Sequence, residues 1–124
     1  MIMSSKLKDA FVTVIASNFG KSLKFYTETL GLKLRKNYGN EYAEIVAPGM
    51  TIGIHPKESG DKPGNTKGVQ IGFAVADIHA VVRELKKKGV KFKGGIIDDG
   101  WGLLAFFVDP DNNWLYLGQE KKNW

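Results

Sequence analysis

Residues 69–92, VQIGFAVADIHAVVRELKKKGVKF, have the same pattern of residue types as residues 10–34, AFVTVIASNFGKSLKFYTETLGLKL. In both stretches a short apolar run is followed by one or two polar or small residues and then by apolar residues at helical spacing. This order predicts a buried strand followed by an amphipathic helix. The sequence therefore predicts that the chain contains two copies of one unit.

The ends of the two predicted helices support the repeat. Asn18 and Asp77 are suited to cap the helix N-termini, and Gly31 and Gly89 can adopt the left-handed conformation that ends a helix. Asp77 follows Asn18 by 59 residues, whereas Gly89 follows Gly31 by 58 residues. The two copies therefore align with a slip of one residue within the helix.

Further apolar runs predict three strands after each helix. They are Leu32–Lys36, Tyr42–Ala47 and Thr51–His55 in the first copy, and Val90–Lys93, Leu103–Val108 and Trp114–Leu117 in the second. Residues 56–68, PKESGDKPGNTKG, carry no large apolar side chain and predict a linker. We therefore expect one α+β domain over residues 1–124, built of βαβββ units at about 8–55 and 69–118.

The composition limits the classes of function. The chain has 124 residues, enough for two units that share one core, and it has no cysteine, which excludes disulfides, thiolate metal sites and a cysteine nucleophile. The formal charge is +5, but no basic stripe with interleaved aromatics is present, so no nucleic-acid partner is expected. No apolar run suits a signal peptide or a membrane span, so we expect a soluble cytoplasmic protein without a membrane partner.

Three segments together resemble one known family. They are NFGKSLKFYTETLGLKL at 18–34, VADIHAVVRELKKKGVKF at 75–92 and FFVDPDNNWLYL at 106–117. In a tandem βαβββ chain they are similar to the glyoxalase I, bleomycin-resistance protein and extradiol dioxygenase superfamily, also called vicinal oxygen chelate. The resemblance implies curled mixed sheets, a cup-like cavity enclosed by two units, and a homodimer. The family usually has glycine where Asn112 follows DPD, and asparagine is the next best residue at a positive φ.

The resemblance also implies positions for one divalent metal, on the first and last strands of each unit. These positions fall on Phe11, Gly53, Gln70 and Tyr116. Only Gln70 is an ordinary metal ligand, and a catalytic site needs about three nitrogen or oxygen donors. No metal cofactor is therefore expected at these positions, and Glu44, His55 and Gln70 remain as an alternative, displaced set of donors.

The same positions favour binding of a small, partly aromatic molecule by stacking and hydrogen bonds. The candidate ligand-binding residues are Phe11, Thr13, Gln70, Trp101, Trp114 and Tyr116, together with His55 and Glu44. Three functions stay open. They are a metal-free protein that binds or sequesters such a molecule, a divalent-metal-dependent lyase or dioxygenase of the glyoxalase type with a displaced metal site, and a structural or interaction module whose cup is filled by its own side chains.

Overall fold

The structure is a computed structural model, and it describes residues 11–64, 69–100 and 102–121. The first unit contains β1 (Phe11–Ala16), α1 (Phe19–Lys24) continued by a π-helical segment (Phe25–Thr29), β2 (Lys33–Asn37), β3 (Ala43–Ala47) and β4 (Met50–Pro56). The second unit contains β5 (Ile71–Ala74), α2 (Ile78–Lys87), β6 (Ile97–Asp98), β7 (Gly102–Val108) and β8 (Trp114–Glu120). Within the described residues, no helix is long and apolar enough to cross a membrane.

Each unit forms one four-stranded mixed sheet. The strand order is β1-β4-β3-β2 in the first sheet and β5-β8-β7-β6 in the second. In each sheet the first strand of the unit pairs parallel with the last strand, and the other pairs are antiparallel. The two units therefore share one topology, which confirms the predicted tandem βαβββ fold.

Both predicted helix starts and both predicted helix stops are confirmed. Asn18 Oδ1 accepts a hydrogen bond of 3.0 Å from the amide three residues on, and Asp77 Oδ1 accepts one of 3.2 Å in the same way. Each side chain thus satisfies a backbone donor that the first helical turn leaves without a partner. Gly31 and Gly89 have φ angles of 74° and 89°, which glycine adopts at low cost.

The first helix accommodates the one-residue slip as a π-turn. Leu30 N–H donates to Phe25 O, five residues back, at 2.9 Å, whereas α2 is α-helical throughout Ile78–Lys87. A single π-turn inserts one extra residue into a helix without breaking it. The inserted turn includes Tyr26, whose side chain is completely buried.

One face of each sheet packs against the helices in an apolar core that runs through both units. The fully buried side chains of this core include those of Tyr26, Ile45, Ile52, Ile54, Ile78, Phe107 and Leu115. Because side chains alternate along a strand, the residues between them point to the opposite face of each sheet. We call this opposite face the cup face.

The cup faces are defined by the register of the strands. On the first sheet, Gly53 of β4 lies between Thr13 of β1 and Glu44 of β3. On the second sheet, Tyr116 of β8 lies between Gly72 of β5 and Phe106 of β7. Residues expected to surround a ligand therefore lie on both sheets.

A buried hydrogen-bond cluster joins the two units. Tyr26 Oη donates to Asp109 Oδ2 at 2.8 Å, and Asp109 also accepts from Asn113 Nδ2 at 2.8 Å and from the amides of Asp111 and Asn113 at 2.9 Å. Beside it, the Asp111 carboxylate accepts from Ser17 N–H at 3.2 Å. The turn between β7 and β8 is therefore bonded to the first helix and to the end of β1.

The strand predicted at Val90–Lys93 is wrong. Among the described residues of that stretch, only Phe92 forms a strand bridge, to Phe107, and the strand at this place in the unit is β6, Ile97–Asp98. Gly94 follows with a φ of 86°, which takes the backbone out of the extended conformation. The pairing with β7 is therefore interrupted before it resumes at β6.

Candidate functional site

Three aromatic side chains lie together on the cup face of the second sheet. The Phe106 ring centroid is 5.7 Å from that of Tyr116 and 6.0 Å from that of Trp114. All three side chains are partly exposed. We call these three residues the aromatic wall. Their ring faces and edges are suited to contact a flat or apolar ligand.

The Tyr116 ring lies over Gly72 on the neighbouring strand. A Cβ atom at position 72 would lie 2.2 Å from Tyr116 Cζ, far closer than two such atoms approach. Position 72 therefore requires glycine while the ring keeps this place. A cleft of about 360 Å³ lies here, and Gly72, Leu104, Tyr116 and Asp99 are among its lining residues. Its volume is in the range of small-molecule pockets.

The first sheet has a similar pair on its own cup face. A Cβ atom at Gly53 would lie 2.5 Å from Tyr42 Oη. Tyr42 comes directly before β3, and its ring centroid is 6.0 Å from that of Tyr38. Each cup face thus has one glycine that is covered by a tyrosine side chain.

An ion pair lies next to the covered glycine of the first sheet. Arg35 Nη1 is 3.7 Å from Glu44 Oε1, and Arg35 Nη2 donates to Thr51 Oγ1 at 3.3 Å. The Glu44 side chain is 19% exposed and the Arg35 side chain is 48% exposed. Thr51 is buried and hydrogen-bonded to the arginine, and Glu44 already has a cationic partner.

A second cleft, of about 400 Å³, lies where β1 meets the second unit. Its lining includes Thr13 of β1, Trp114 of β8 and residues 61–64. Thr13 and Trp114 belong to different units and were both predicted to contact ligand. The structure brings these two side chains to one cleft.

The other predicted ligand residues are more dispersed. Phe11 is 50% exposed at the start of β1, and Gln70 is exposed directly before β5. His55 lies near the end of β4, where its Nδ1 is 2.7 Å from Pro56 O and its Nε2 is 3.7 Å from Glu58 Oε1. Trp101 lies outside the described residues.

The acidic side chains at the end of β6 and directly after it stabilise a turn. Asp98 Oδ1 accepts from Gly100 N–H at 2.9 Å and lies 3.2 Å from Lys121 Nζ, while Asp99 Oδ1 accepts from Gly102 N–H at 3.0 Å. The hydrogen bond from Gly100, followed by the contact with Lys121, holds the pKa of Asp98 below its usual value. Across residues 11–64, 69–100 and 102–121, no three His, Asp or Glu side chains are grouped so that they could hold a metal ion.

Comparison with known proteins decides the family. The sequence profile of the Glyoxalase/Bleomycin resistance protein/Dioxygenase superfamily matches residues 10–117. The chain belongs to this superfamily. The predicted family resemblance is therefore confirmed.

Curated relatives within the superfamily include two proteins named as lyases. The chain is 30% identical to lactoylglutathione lyase of Schizosaccharomyces pombe, over 90% of this chain and 46% of the enzyme. It therefore spans about half the length of that relative. It is 31% identical to the probable lactoylglutathione lyase of Vibrio cholerae, over 82% of this chain and 83% of that protein.

Two solved structures have the same fold. A member from Sphaerobacter thermophilus is 27% identical with a TM-score of 0.78, and the match covers 92% of this chain and 98% of that one. TnmS3, an antibiotic binding protein from a Streptomyces species, is 23% identical with a TM-score of 0.75, over 96% of this chain and 100% of that one.

The residues at the superfamily's expected metal positions do not fit a metal ion. Phe11 and Gly53 supply no side-chain donor, and Tyr116 is packed over Gly72 as part of the aromatic wall. The alternative donors are also engaged, because Glu44 pairs with Arg35 and His55 lies near Glu58. Gln70 alone does not provide the three donors that such a site requires.

Sequence reasoning missed three residues of the cup faces, Arg35, Tyr42 and Phe106. Phe106 had a usable signal, because an antiparallel register for β7 and β8 places it opposite Tyr116. Arg35 had no such signal, since an irregular register between β2 and β3 brings it to the cup face. Tyr42 lies outside the strands, and its position over Gly53 depends on the turn before β3.

Proposed function

We propose that this protein binds a small, partly aromatic molecule in the cup between its βαβββ units, without a metal ion at the superfamily's usual positions. The observation that carries the proposal is that a tyrosine side chain covers a glycine on each cup face, Gly53 and Gly72. Gly53 and Tyr116 stand at two of the positions where the family's metal chemistry would need ordinary metal ligands. Aromatic surface thus replaces metal ligands. A ligand would be held by stacking and hydrogen bonds instead of by coordination.

Open space beside the aromatic wall supports this proposal over a filled cup. The clefts of about 360 Å³ and 400 Å³ both adjoin residues of the aromatic wall, Tyr116 in the first and Trp114 in the second. A side-chain core would leave no such volume, because protein interiors pack to high density. The Tyr116 hydroxyl and Thr13 add polar groups that can orient a bound molecule.

A homodimer is part of the proposal. The cup faces carry partly exposed apolar side chains such as Phe11 and Phe106, and a second copy would enclose them. A cytoplasmic location also stays a prediction from the sequence. Size-exclusion chromatography with light scattering gives the mass in solution, and a monomer at every concentration would remove the dimer from the proposal.

A second candidate is a metal-dependent lyase, and the identity of 30–31% to lactoylglutathione lyases favours it. That function would need Glu44, His55 and Gln70 to leave their present surroundings and gather around one divalent ion. The proposal of a metal-free binding protein needs no such rearrangement.

Elemental analysis of untagged protein, followed by thermal-shift titration with nickel, zinc, manganese and ferrous iron, separates the two candidates. A ligand that binds only the folded state raises the melting temperature by mass action. We expect no stoichiometric metal and no saturable shift. A stoichiometric metal that is lost in His55→Ala would establish the second candidate instead.

The binding proposal is tested by titrating aromatic molecules against the tryptophan fluorescence of the protein. We expect Tyr116→Ala to weaken binding of any molecule found. Phe25→Ala is the matched control, because it removes a half-buried aromatic ring from the first helix, away from the cup faces. Equal effects of the two variants would argue against the aromatic wall as the binding site.

A further inference from the structure

The cup face of the first sheet carries an excess of positive charge on one strand. Strands β1–β4 contain three residues with cationic side chains, Lys33, Arg35 and Lys36, and all three lie on β2. The same strands contain one carboxylate, that of Glu44. Since Lys33 is paired with Val46, in the row of Phe11 and Thr51, its side chain is also on the cup face.

A β-bulge places two of these cations side by side. The register of β2 and β3 pairs Leu34 with Ile45 and then Lys36 with Glu44, so that Arg35 is one extra residue. A bulge changes the direction of the side chains of its strand and is often found beside a binding site. Both Arg35 and Lys36 therefore lie beside Glu44, whereas regular antiparallel pairing of β2 and β3 would place only one residue of β2 there.

Arg35 keeps part of its guanidinium available. Its distance of 3.7 Å from Glu44 exceeds that of a hydrogen bond, and its bond to Thr51 uses one of five N–H donors. The side chain is 48% exposed even though two partners hold its position. A guanidinium that is held in place and half exposed is suited to bind an oxyanion through two parallel hydrogen bonds.

A neutral donor lies in the same row of the sheet. Tyr42 Oη is over Gly53, which is paired with Glu44. Within residues 11–64, 69–100 and 102–121, this hydroxyl has no hydrogen-bond partner. It is therefore able to donate to an anionic group that contacts Arg35.

We propose that the molecule bound in the cup carries an oxyanionic group, a carboxylate or a phosphate, and that Arg35 is the residue that binds it. Lys33 and Lys36 add positive potential, and the single carboxylate of Glu44 repels an anionic ligand less than the three cations attract it. This inference rests on the proposed binding function and specifies its ligand class: an aromatic acid. The Tyr42 ring over Gly53 and the neighbouring Tyr38 ring, 6.0 Å away between centroids, contact the apolar part, and Arg35 contacts the oxyanion.

The test uses matched pairs of aromatic acids and amides with one, two and three fused rings: benzoate with benzamide, 1-naphthoate with 1-naphthamide, and 9-anthracenecarboxylate with its amide. Affinities are measured by isothermal titration calorimetry, which needs no fluorescence change. We expect at least one acid to bind about 10- to 100-fold more tightly than its amide, as for hydrogen bonds to a charged group. Its affinity falls as sodium chloride is added.

Variants assign the effect to one residue. Arg35→Gln should remove the preference for the acid, and Arg35→Lys should retain part of it because the charge stays while the planar fork is lost. Arg83→Gln is the matched control, since it removes the same charge from the exposed face of α2. Thermal melts show whether each variant is folded. If Arg35→Gln does not fold, the comparison is made with Arg35→Lys instead.

The possible results of these titrations bear on different parts of the proposal. If no member of the panel binds, the proposed binding of small aromatic molecules is overturned together with this inference. If acids and amides bind equally, the binding function stands and the oxyanion inference is wrong. If acids are preferred but Arg35→Gln and Arg83→Gln reduce that preference equally, the charge of the whole protein is responsible and the role of Arg35 is wrong.

Discussion

Tyr26 in the first unit donates a hydrogen bond of 2.8 Å to Asp109 in the second unit, and the two residues are 0% and 3% exposed. Burial raises the pKa of the Tyr26 phenol well above its usual value, and the negative charge of Asp109 raises it further. The carboxylate has three further donors from its own turn. The contact therefore joins the halves of the chain through a buried charge whose hydrogen-bonding capacity is largely satisfied.

Tyr26→Phe should destabilise the protein by about 1–3 kcal/mol at neutral pH, because one donor to a buried carboxylate is lost while the ring still fills its place. Denaturant unfolding followed by circular dichroism measures the change. Tyr38→Phe is the control, since Tyr38 is exposed, and its free energy of unfolding should stay within about 0.5 kcal/mol of the parent.

The same variant should change the dependence of stability on alkaline pH. A raised pKa in the folded state means that the contribution of Tyr26 is complete below the unfolded pKa of about 10 and is lost as pH rises from there through the folded pKa. The stability difference between parent and Tyr26→Phe should therefore shrink above about pH 10. A stability difference between the two proteins that stays constant as the pH is raised above about 10, up to alkaline unfolding, would contradict the raised pKa of Tyr26.

Gly72→Ala should destabilise the protein by about 1–3 kcal/mol, as overpacking does, because its Cβ would meet the Tyr116 ring. Gly95→Ala is a suitable control, since a Cβ there would meet no atom within 4 Å. In a double-mutant cycle, Gly72→Ala and Tyr116→Ala should be less than additive, since removal of the ring relieves the clash. Additive free energies would show that the ring does not occupy this position in solution.

Asn112→Ala should cost about 1–2 kcal/mol, because residue 112 has a φ of 65° and alanine is strained there. Asn112→Gly should leave the free energy of unfolding within about 0.5 kcal/mol, as glycine accepts this conformation. The free energies of unfolding of the parent, Asn112→Ala and Asn112→Gly are compared by chemical denaturation under one set of conditions. Equal destabilisation by both substitutions would assign the role of Asn112 to its side chain instead of its backbone conformation.

Glu44→Gln should increase the affinity for an aromatic acid about two- to fivefold, because it removes the negative charge beside Arg35 while keeping a similar shape. The affinity for the matching amide should not change. Calorimetric titration of both molecules with both proteins gives the comparison. A loss of acid binding would mean that Glu44 is needed to hold Arg35 in place.

The repeat was sufficient to predict the fold, because each local signal has a short-range cause. Asn18 and Asp77 each bond the amide three residues on, and Gly31 and Gly89 end their helices by backbone conformation alone. These features depend on few neighbours and are readable from sequence. The strand predicted at Val90–Lys93 failed because pairing with β7 depends on the path of the chain through Gly94, which apolar alternation does not encode.

The candidate site was less predictable, because it depends on register. Tyr116 was identified as a ligand residue from the family positions and Trp114 as its neighbour on the same face of the strand. The residue that completes the aromatic wall, Phe106, follows from cross-strand pairing. Arg35 requires knowledge of a bulge between two strands. A bulge that inserts one residue between paired strands brings side chains together without changing the alternation of apolar and polar residues by which strands are recognised in a sequence.

The π-turn at Phe25–Thr29 makes the two halves of the chain non-equivalent. Their sheets have one topology, but only the first helix contains a π-helical segment. One inserted residue rotates the end of the first helix relative to the second, and the rotated turn contains Tyr26, the partner of Asp109. A chimera with two second halves would lack this contact and a chimera with two first halves would lack its acceptor. The two halves are therefore not interchangeable at this contact, which forms between the helix of the first half and the β7–β8 turn of the second.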